Sequence, residues 1–220
     1  NSATFEQMNK IHGFYNDGNF VEAFSRGVIL QETLPNDPGL HNLVGASELA
    51  LGDPKAAANS FGKAIEADPS FVDSYNNLGS LYRSLGMKDE ALAIYKLALK
   101  IDSKHPKIYY NIGNLLMDNK MFELAQESFS EALKYDDNYS DAHYNLAVAI
   151  VNEIERYDSF TSERFDLTDR NDGVSLKKAE QHLEKAIVEN FDNADYFNLL
   201  GKIQFQLRNY HESEKNFKTC

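Results

Sequence analysis

The sequence YNNLG at residues 75–79 returns 34 residues later as YYNIG at 109–113, and after a further 34 residues as HYNLA at 143–147. Each copy has asparagine in third place, followed by an aliphatic residue and a small one. A constant interval of this length is typical of proteins built from stacked structural repeats. The recurring asparagine needs a separate explanation, because Asn forms helices less readily than Ala.

A frame of 34 residues, counted from Thr4, fits the chain as six repeats. The repeats start near residues 4, 38, 72, 106, 140 and 194, and the last one is cut short at Cys220. Position 20 of the frame is alanine in the first four repeats, namely Ala23, Ala57, Ala91 and Ala125. Position 15 is glycine in the first three repeats, and Lys120 breaks this series in the fourth. We therefore expect residues 1–220 to form a single repeat array.

Each repeat is predicted to form two helices joined by a turn. In the third repeat, Tyr75, Leu78 and Tyr82 recur at helical spacing, and Gly86 marks the turn before a second helical pattern. A hairpin this short cannot bury its apolar face alone, whereas stacked hairpins bury it for each other. The predicted fold is all-α, an α-solenoid of about six helix-turn-helix repeats.

The fifth repeat contains an insertion of 20 residues, because Ala179 follows Ala125 by 54 residues instead of 34. The extra length lies at about 153–174. We expect the first helix of this repeat to run through about Tyr157, a loop rich in Asp and Ser to follow, and Ser175 to cap the second helix. Two interpretations stay open: a tolerated decoration that packs its own aromatic residues, or a contact for a partner or cover for a groove.

The chain resembles the tetratricopeptide repeat family through residues of its third repeat: LGSLY (78–82), Gly86, Ala91, Tyr95 and Ala98. The resemblance extends over about residues 4–220 and implies a right-handed superhelix of helix pairs. The first repeat departs from the pattern. Lys10 and Ile11 stand at the Leu-Gly positions, and Gly27 replaces the aromatic residue.

In the resembled family, the first helix of each repeat lines a concave groove through positions 2, 5, 6, 9, 12 and 13. Position 6 is asparagine in four of the six repeats (Asn9, Asn77, Asn111 and Asn145), and Asn42 stands one place earlier in the second repeat. This pattern resembles the asparagine ladder that holds substrate polypeptide in the repeat domain of O-linked N-acetylglucosamine transferases.

A row of asparagines on successive helices has the right chemistry for binding a peptide backbone. A carboxamide can pair with both the N–H and the C=O of a peptide unit. Packed helices lie about 8–10 Å apart, and an extended chain advances about 3.3 Å per residue, so each helix would meet about every third residue of a guest. The alternative is structural, with each Asn bonded to a neighbouring helix.

Other side chains of the predicted groove are charged or aromatic. Tyr110 and Tyr144 could stack on ligand side chains or only cover the wall of the groove. The predicted peptide-binding residues are Asn9, Asn42, Asn76, Asn77, Arg83, Lys107, Tyr110, Asn111, Asn114, Tyr144 and Asn145.

Composition excludes several classes of function. The 220 residues carry a net charge of −12, which disfavours nucleic acid and anionic lipid as partners. No apolar run approaches the roughly 20 residues of a membrane span, so no membrane insertion is expected. The single cysteine, Cys220, disfavours an internal disulfide and a thiolate zinc site. A reduced compartment, the cytoplasm, is expected, with the periplasm as the alternative.

The sequence contains no catalytic, metal-binding or cofactor-binding motif that we recognise. We therefore predict a non-catalytic protein-interaction module that binds an extended polypeptide in its groove. Two alternatives stay open, because the sixth repeat stops without a polar capping helix. The array ends could mediate homo-oligomerisation. Otherwise a further domain after residue 220 could make the chain the substrate-recruiting part of a larger enzyme, such as a glycosyltransferase.

Overall fold

The computed structural model describes residues 2–160 and 172–218. These two ranges contain twelve α-helices and no strand. In chain order the helices are α1 (Ser2–Asn16), α2 (Phe20–Gln31), α3 (Pro38–Ala50), α4 (Pro54–Ala67), α5 (Val72–Ser84), α6 (Lys88–Ile101), α7 (Pro106–Asp118), α8 (Phe122–Tyr135), α9 (Ser140–Phe160), α10 (Asp172–Glu189), α11 (Ala194–Gln206) and α12 (Tyr210–Phe217). The predicted all-α architecture of helix-turn-helix repeats is confirmed.

The helices form two compact units, Asn1–Ser103 with α1–α6 and Lys104–Cys220 with α7–α12. Within each unit, every helix packs against the next one in the chain. First helices of neighbouring repeats also contact each other: α1 with α3 and α3 with α5, α7 with α9 and α9 with α11. No two second helices do so among the described residues. The layer of first helices is therefore the tighter one, which makes it the concave side of each unit.

The hairpin turns share one backbone conformation at position 15. Gly18, Gly52 and Gly86 have φ angles of 76°, 87° and 76°. Lys120 and Arg208 occupy the same position with φ angles of 57° and 61°. The left-handed region suits glycine, and other residues are less favourable there by roughly 1–2 kcal/mol. The break in the glycine series at Lys120 therefore changes the energy of the turn and not its shape.

Helix starts in the second repeat are specified by two Asp-Pro pairs. The side chain of Asp37 accepts a hydrogen bond from the backbone N–H of Leu40 at 2.8 Å, and that of Asp53 accepts one from Ala56 at 2.9 Å. Proline follows at the first helical position, where its missing N–H costs no hydrogen bond. These caps set the points at which α3 and α4 begin.

A glycine on the first helix receives an aromatic ring from the second helix of the same repeat. A Cβ atom added to Gly79 would lie 2.5 Å from Cε1 of Tyr95, and one added to Gly113 would lie 2.5 Å from Cε1 of Phe129. Both rings are fully buried. The glycine thus lets the ring lie directly on the helix backbone, which holds the two helices of the hairpin together.

The first repeat exchanges the large and the small residue of this contact. Ile11, which is 2% exposed, stands at the glycine position, and Gly27 stands at the aromatic position. A Cβ atom on Gly27 would lie 2.6 Å from Cγ2 of Val44. The space beside Gly27, at the aromatic position of the first repeat, is therefore filled by Val44 of the next repeat.

The insertion lengthens both helices of the fifth repeat. Helix α9 has 21 residues and α10 has 18, compared with 13 and 14 in the preceding hairpin. Helix α9 runs three residues beyond the predicted end at Tyr157. The prediction that Ser175 caps the second helix is wrong, because α10 starts at Asp172 and Ser175 lies beside Ile154 and Tyr157 of α9. The predicted loop lies outside the described residues.

Candidate peptide-binding grooves

The concave side of the first unit contains an open groove of about 490 Å³, here called the first-unit groove. Its lining comes from the first helices α1, α3 and α5, together with Phe61 of α4. The lining residues are His12, Tyr15, Asn16, Asn42, Leu43, Ala46, Leu49, Ala50, Phe61, Asn77 and Ser80. Those on the first helices occupy repeat positions 5, 6, 9, 12 and 13. These belong to the set that the resemblance assigns to the concave face.

The second unit has a smaller groove of about 220 Å³ between α9 and α11, here called the second-unit groove. Its lining residues are Tyr144, Val148, Val151, Asn152, Glu155, Asp195, Asn198, Leu199 and Lys202. All except Glu155 occupy positions 2, 5, 6, 9, 12 or 13 of their repeats. The two units therefore present the same repeat positions in their grooves.

Helix α3 of the first-unit groove and helix α9 of the second-unit groove differ in side-chain size at positions 9 and 13. Helix α3 carries Ala46 and Ala50 at these positions, whereas α9 carries Val148 and Asn152. The two alanines leave the floor of the first-unit groove open. Sequence reasoning did not select Ala46 and Ala50 as site residues, although their positions in the frame place them on the concave face.

Two asparagines are hydrogen-bonded to each other across the first-unit groove. Nδ2 of Asn77 on α5 donates to Oδ1 of Asn42 on α3 at 2.9 Å, and the same oxygen accepts from Oγ of Ser74 at 3.1 Å. No hydrogen bond of Asn42 Nδ2 or Asn77 Oδ1 is found within residues 2–160 and 172–218. This amide pair thus keeps one donor group and one acceptor group for a ligand.

A second amide pair joins α7 and α9 in the second unit. Nδ2 of Asn145 donates to Oδ1 of Asn114 at 2.8 Å and to the hydroxyl of Tyr110 at 3.2 Å. Over the described part of the chain, Asn145 Oδ1 and Asn114 Nδ2 make no hydrogen bond. The structural alternative, an Asn bonded to a neighbouring helix, therefore applies to Asn77 and Asn145. Each pair still keeps a donor and an acceptor.

The two predicted tyrosines are packed into the walls. The ring centroid of Tyr110 lies 4.8 Å from that of Tyr139. Tyr144 stacks on Tyr196 with centroids 4.8 Å apart and also lines the second-unit groove. Burial, together with the charge of Asp195, raises the pKa of the Tyr144 hydroxyl. Tyr110 therefore covers the wall, whereas Tyr144 both covers the wall and faces the groove.

The remaining predicted residues are distributed over the two units. Asn9 and Lys107 are exposed. Asn76, Arg83 and Asn111 are half-buried, and each already has an interaction partner. None of these five lines either groove as defined above.

Two histidines at position 4 of their repeats are buried and play the same role. Nε2 of His41 lies 2.8 Å from the carbonyl oxygen of Pro35, and Nε2 of His143 lies 2.9 Å from that of Asp137. Nδ1 of His41 accepts from Gln31 at 3.0 Å, whereas Nδ1 of His143 lies 2.8 Å from Nδ1 of His182. A hydrogen bond between the two imidazoles needs one donor and one acceptor, so at least one ring must be neutral.

The environment of the second unit opposes protonation of these rings. Burial is the main cause that lowers the pKa of His143. Burial, with smaller contributions from the charges of His143, Lys178 and Lys185, lowers the pKa of His182 to about 4. The second unit therefore contains a neutral histidine pair where the first unit contains a Gln–His bond.

Residues 45–106 and 106–139 match two family models, each described as tetratricopeptide repeat. Residues 45–139 therefore contain tetratricopeptide repeats. Such repeats are generally non-enzymatic scaffolds, and the match supports a protein–protein interaction module. In the described part of the chain, no helix combines the length and the hydrophobicity needed to cross a membrane.

Solved structures of other tetratricopeptide repeat proteins share the fold. PilF of Pseudomonas aeruginosa superimposes with a TM-score of 0.79 at 17% identity, over 98% of this chain and 89% of that one. MamA gives a TM-score of 0.61 at 22% identity, over 80% of this chain and 91% of that one. YrrB, described as a tetratricopeptide repeat protein with an unusual peptide-binding site, gives a TM-score of 0.60 at 17% identity. The match covers 88% of this chain and 89% of that one. The chain has no sequence match among curated proteins.

Proposed function

We propose that the chain binds an extended segment of another polypeptide along its first helices, without catalysing a reaction on it. One observation carries the proposal: the amide pair Asn42–Asn77 stands at the wall of the first-unit groove with an unused Nδ2 and an unused Oδ1. A peptide unit offers a C=O that accepts and an N–H that donates, which complements this pair.

The hydrogen bond within each amide pair also prepares it for a ligand. Asn77 Nδ2 and Asn42 Oδ1 hold each other at 2.9 Å, which restricts the rotation of both side chains before any ligand arrives. Groups that are ordered in advance lose less conformational entropy on binding. The pair Asn114–Asn145 has a similar hydrogen bond at 2.8 Å in the second unit, and neither of its residues lines the second-unit groove. In this proposal the contacts to the peptide backbone come from an amide pair that bridges two adjacent first helices.

Binding to an array of short random peptides tests the proposal. We compare the wild type with Asn42→Ala/Asn77→Ala, and use Asn59→Ala as the matched control because Asn59 is exposed on α4, a second helix. Loss of two backbone hydrogen bonds should weaken the affinity by about tenfold or more. Circular dichroism checks that the variants fold. Unchanged binding by the folded double variant, or equal losses in the control, would refute the proposal.

Self-association is a second candidate function, which an apolar surface on the first hairpin favours. Phe5 and Ile29 are 69% and 65% exposed. A pocket of about 200 Å³ between α1 and α2 is lined in part by Ile11, Ile29 and Leu30. Light scattering of the wild type and of Ile29→Glu tests this candidate. A dimer that the variant converts to a monomer would support it, and a wild-type monomer would rule it out.

A further inference from the structure

The first-unit groove is the more apolar and the less charged of the two. Its described lining contains no Lys, Arg, Asp or Glu, and its floor is made by Leu43, Ala46 and Ala50 of α3. The second-unit groove, by contrast, has Glu155, Asp195 and Lys202 in its lining. The same repeat positions therefore form a lining without Lys, Arg, Asp or Glu in the first-unit groove and a lining with charged residues in the second-unit groove.

The size of the first-unit groove suits a large side chain. It measures about 490 Å³, against about 220 Å³ for the second-unit groove. A cavity of roughly 150 Å³ already accommodates a benzene molecule in a protein. Leu49, which is 37% exposed at the rim, adds apolar surface that a ligand could cover.

We infer that the first-unit groove selects one bulky apolar side chain, that of Leu, Met or Phe, in the bound polypeptide. This inference rests on the proposed function. The side chain enters over Ala46 and Ala50, while Asn42 and Asn77 hold the adjoining peptide unit. The groove therefore adds side-chain selectivity to a backbone grip that by itself accepts many sequences.

Because the lining contains no Lys, Arg, Asp or Glu, it favours an apolar side chain over a charged one. A charged side chain that entered the groove would lose hydration, and no lining carboxylate, ammonium or guanidinium group would compensate it. An apolar side chain loses no such hydration and gains from leaving water.

The test uses variants that give the first-unit groove the residues of the second-unit groove. Ala46→Val/Ala50→Asn copies Val148 and Asn152 into the matching positions of α3. The single variant Ala50→Asn changes only an exposed residue, so it keeps the test possible if the double variant does not fold. Ala67→Asn, at an exposed position near the end of α4, is the matched control. Each is titrated with array peptides in which one position is Leu, Met, Phe, Gly, Asp or Lys.

The wild type should bind the Leu, Met and Phe peptides about tenfold more tightly than the Gly, Asp and Lys peptides. Ala46→Val/Ala50→Asn should remove that preference, so that the Leu, Met and Phe peptides bind no more tightly than the Gly peptide. If peptides bind through Asn42 and Asn77 but Leu and Gly bind equally, this inference fails and the proposed function stands. If no peptide binds, both fail. Self-association that Ala46→Val/Ala50→Asn abolishes would mean that a second copy fills the groove, and would also overturn the inference.

Discussion

The first-unit and second-unit grooves use the same repeat positions but differ in size and charge. One measures about 490 Å³ and has a neutral lining, and the other measures about 220 Å³ and contains Glu155, Asp195 and Lys202. The helix pairs determine where the side chains of positions 5, 6, 9, 12 and 13 project, since these positions recur in both grooves. The residues at those positions determine what can bind. If both grooves bind polypeptide as proposed, stacked repeats let one scaffold carry sites of different selectivity.

The two units also have two kinds of side-chain contact in common. Each has an amide pair that bridges adjacent first helices, at 2.9 Å in the first unit and 2.8 Å in the second. Each also has a hairpin in which an aromatic ring packs on a glycine, Gly79 with Tyr95 in the first unit and Gly113 with Phe129 in the second. Substitutions at these shared features, and at the positions where the units differ, measure the energies of the contacts.

The largest effect is expected at the glycine contact. Gly79→Ala or Gly113→Ala would place a Cβ atom 2.5 Å from the ring of Tyr95 or Phe129. We expect either substitution to lower the free energy of unfolding by about 2–3 kcal/mol, as overpacked cores do. Urea denaturation measures the change. Equal losses in both variants would confirm a shared design, and losses below about 0.5 kcal/mol, which is within the range of neutral surface changes, would contradict it.

The fifth repeat suggests how the loss at the glycine contact could be reversed. There Ala147 stands at the glycine position and Leu183 at the aromatic position, and both are fully buried. Adding Tyr95→Leu to Gly79→Ala should therefore recover part of the lost stability. A double variant that loses the sum of the two single effects would show that ring and glycine do not compete for the same space.

A smaller effect, confined to the second unit, is expected from the histidine pair. The pKa of His182 in the folded chain, about 4, lies below its ordinary value of 6.5. The unfolded chain therefore binds more protons between these values, so stability is present above pH 6.5 and is lost as the pH falls towards 4. We expect this loss to be on the order of 2 kcal/mol.

His182→Gln isolates that contribution, because it gives the second unit the Gln–His bond that Gln31 and His41 form in the first. The variant should lose less stability than the wild type between pH 6.5 and 4 in urea titrations. If the wild type and His182→Gln depend on pH in the same way, the pair does not account for acid sensitivity. A substitution at the exposed His211 serves as the control.

The smallest effect is expected at the hairpin turns. All three turns of the first unit have glycine at position 15, whereas Lys120 and Arg208 hold the same left-handed conformation in the second. Lys120→Gly should raise the free energy of unfolding by about 1 kcal/mol. Gly86→Ala, the reverse change in the first unit, should lower it by a similar amount. Thermal denaturation distinguishes these outcomes, and a loss of stability in Lys120→Gly would contradict the account.

The architecture could be predicted from the sequence because it depends on periodicity. Helices α3, α5 and α7 begin at Pro38, Val72 and Pro106, which are the residues where the 34-residue frame starts new repeats. The turn residues and the small residues at positions 8 and 20 recur at the same interval, so several independent signals agree. The first repeat is harder to recognise in the sequence, because Ile11 stands at the glycine position and Gly27 at the aromatic position.

The details of the site could not be predicted in the same way. Asn77 bonds to Asn42 at position 5 of its neighbour, whereas Asn145 bonds to Asn114 at position 9. Such partners depend on how adjacent helices are offset, and a repeat frame does not contain that information. The start of α10 at Asp172 lies in the insertion, which is outside the periodic pattern.

The central claim is that the Asn42–Asn77 pair binds a peptide backbone, and a double-mutant cycle with a backbone-modified peptide tests it most directly. An array-selected peptide and its analogue with one N-methylated amide are titrated against the wild type and against Asn42→Ala/Asn77→Ala. We expect N-methylation at the contacted amide to weaken binding to the wild type by about tenfold and to have almost no further effect on the double variant. If N-methylation at every amide of the peptide weakens binding to both proteins equally, the pair does not contact the backbone and the claim is wrong.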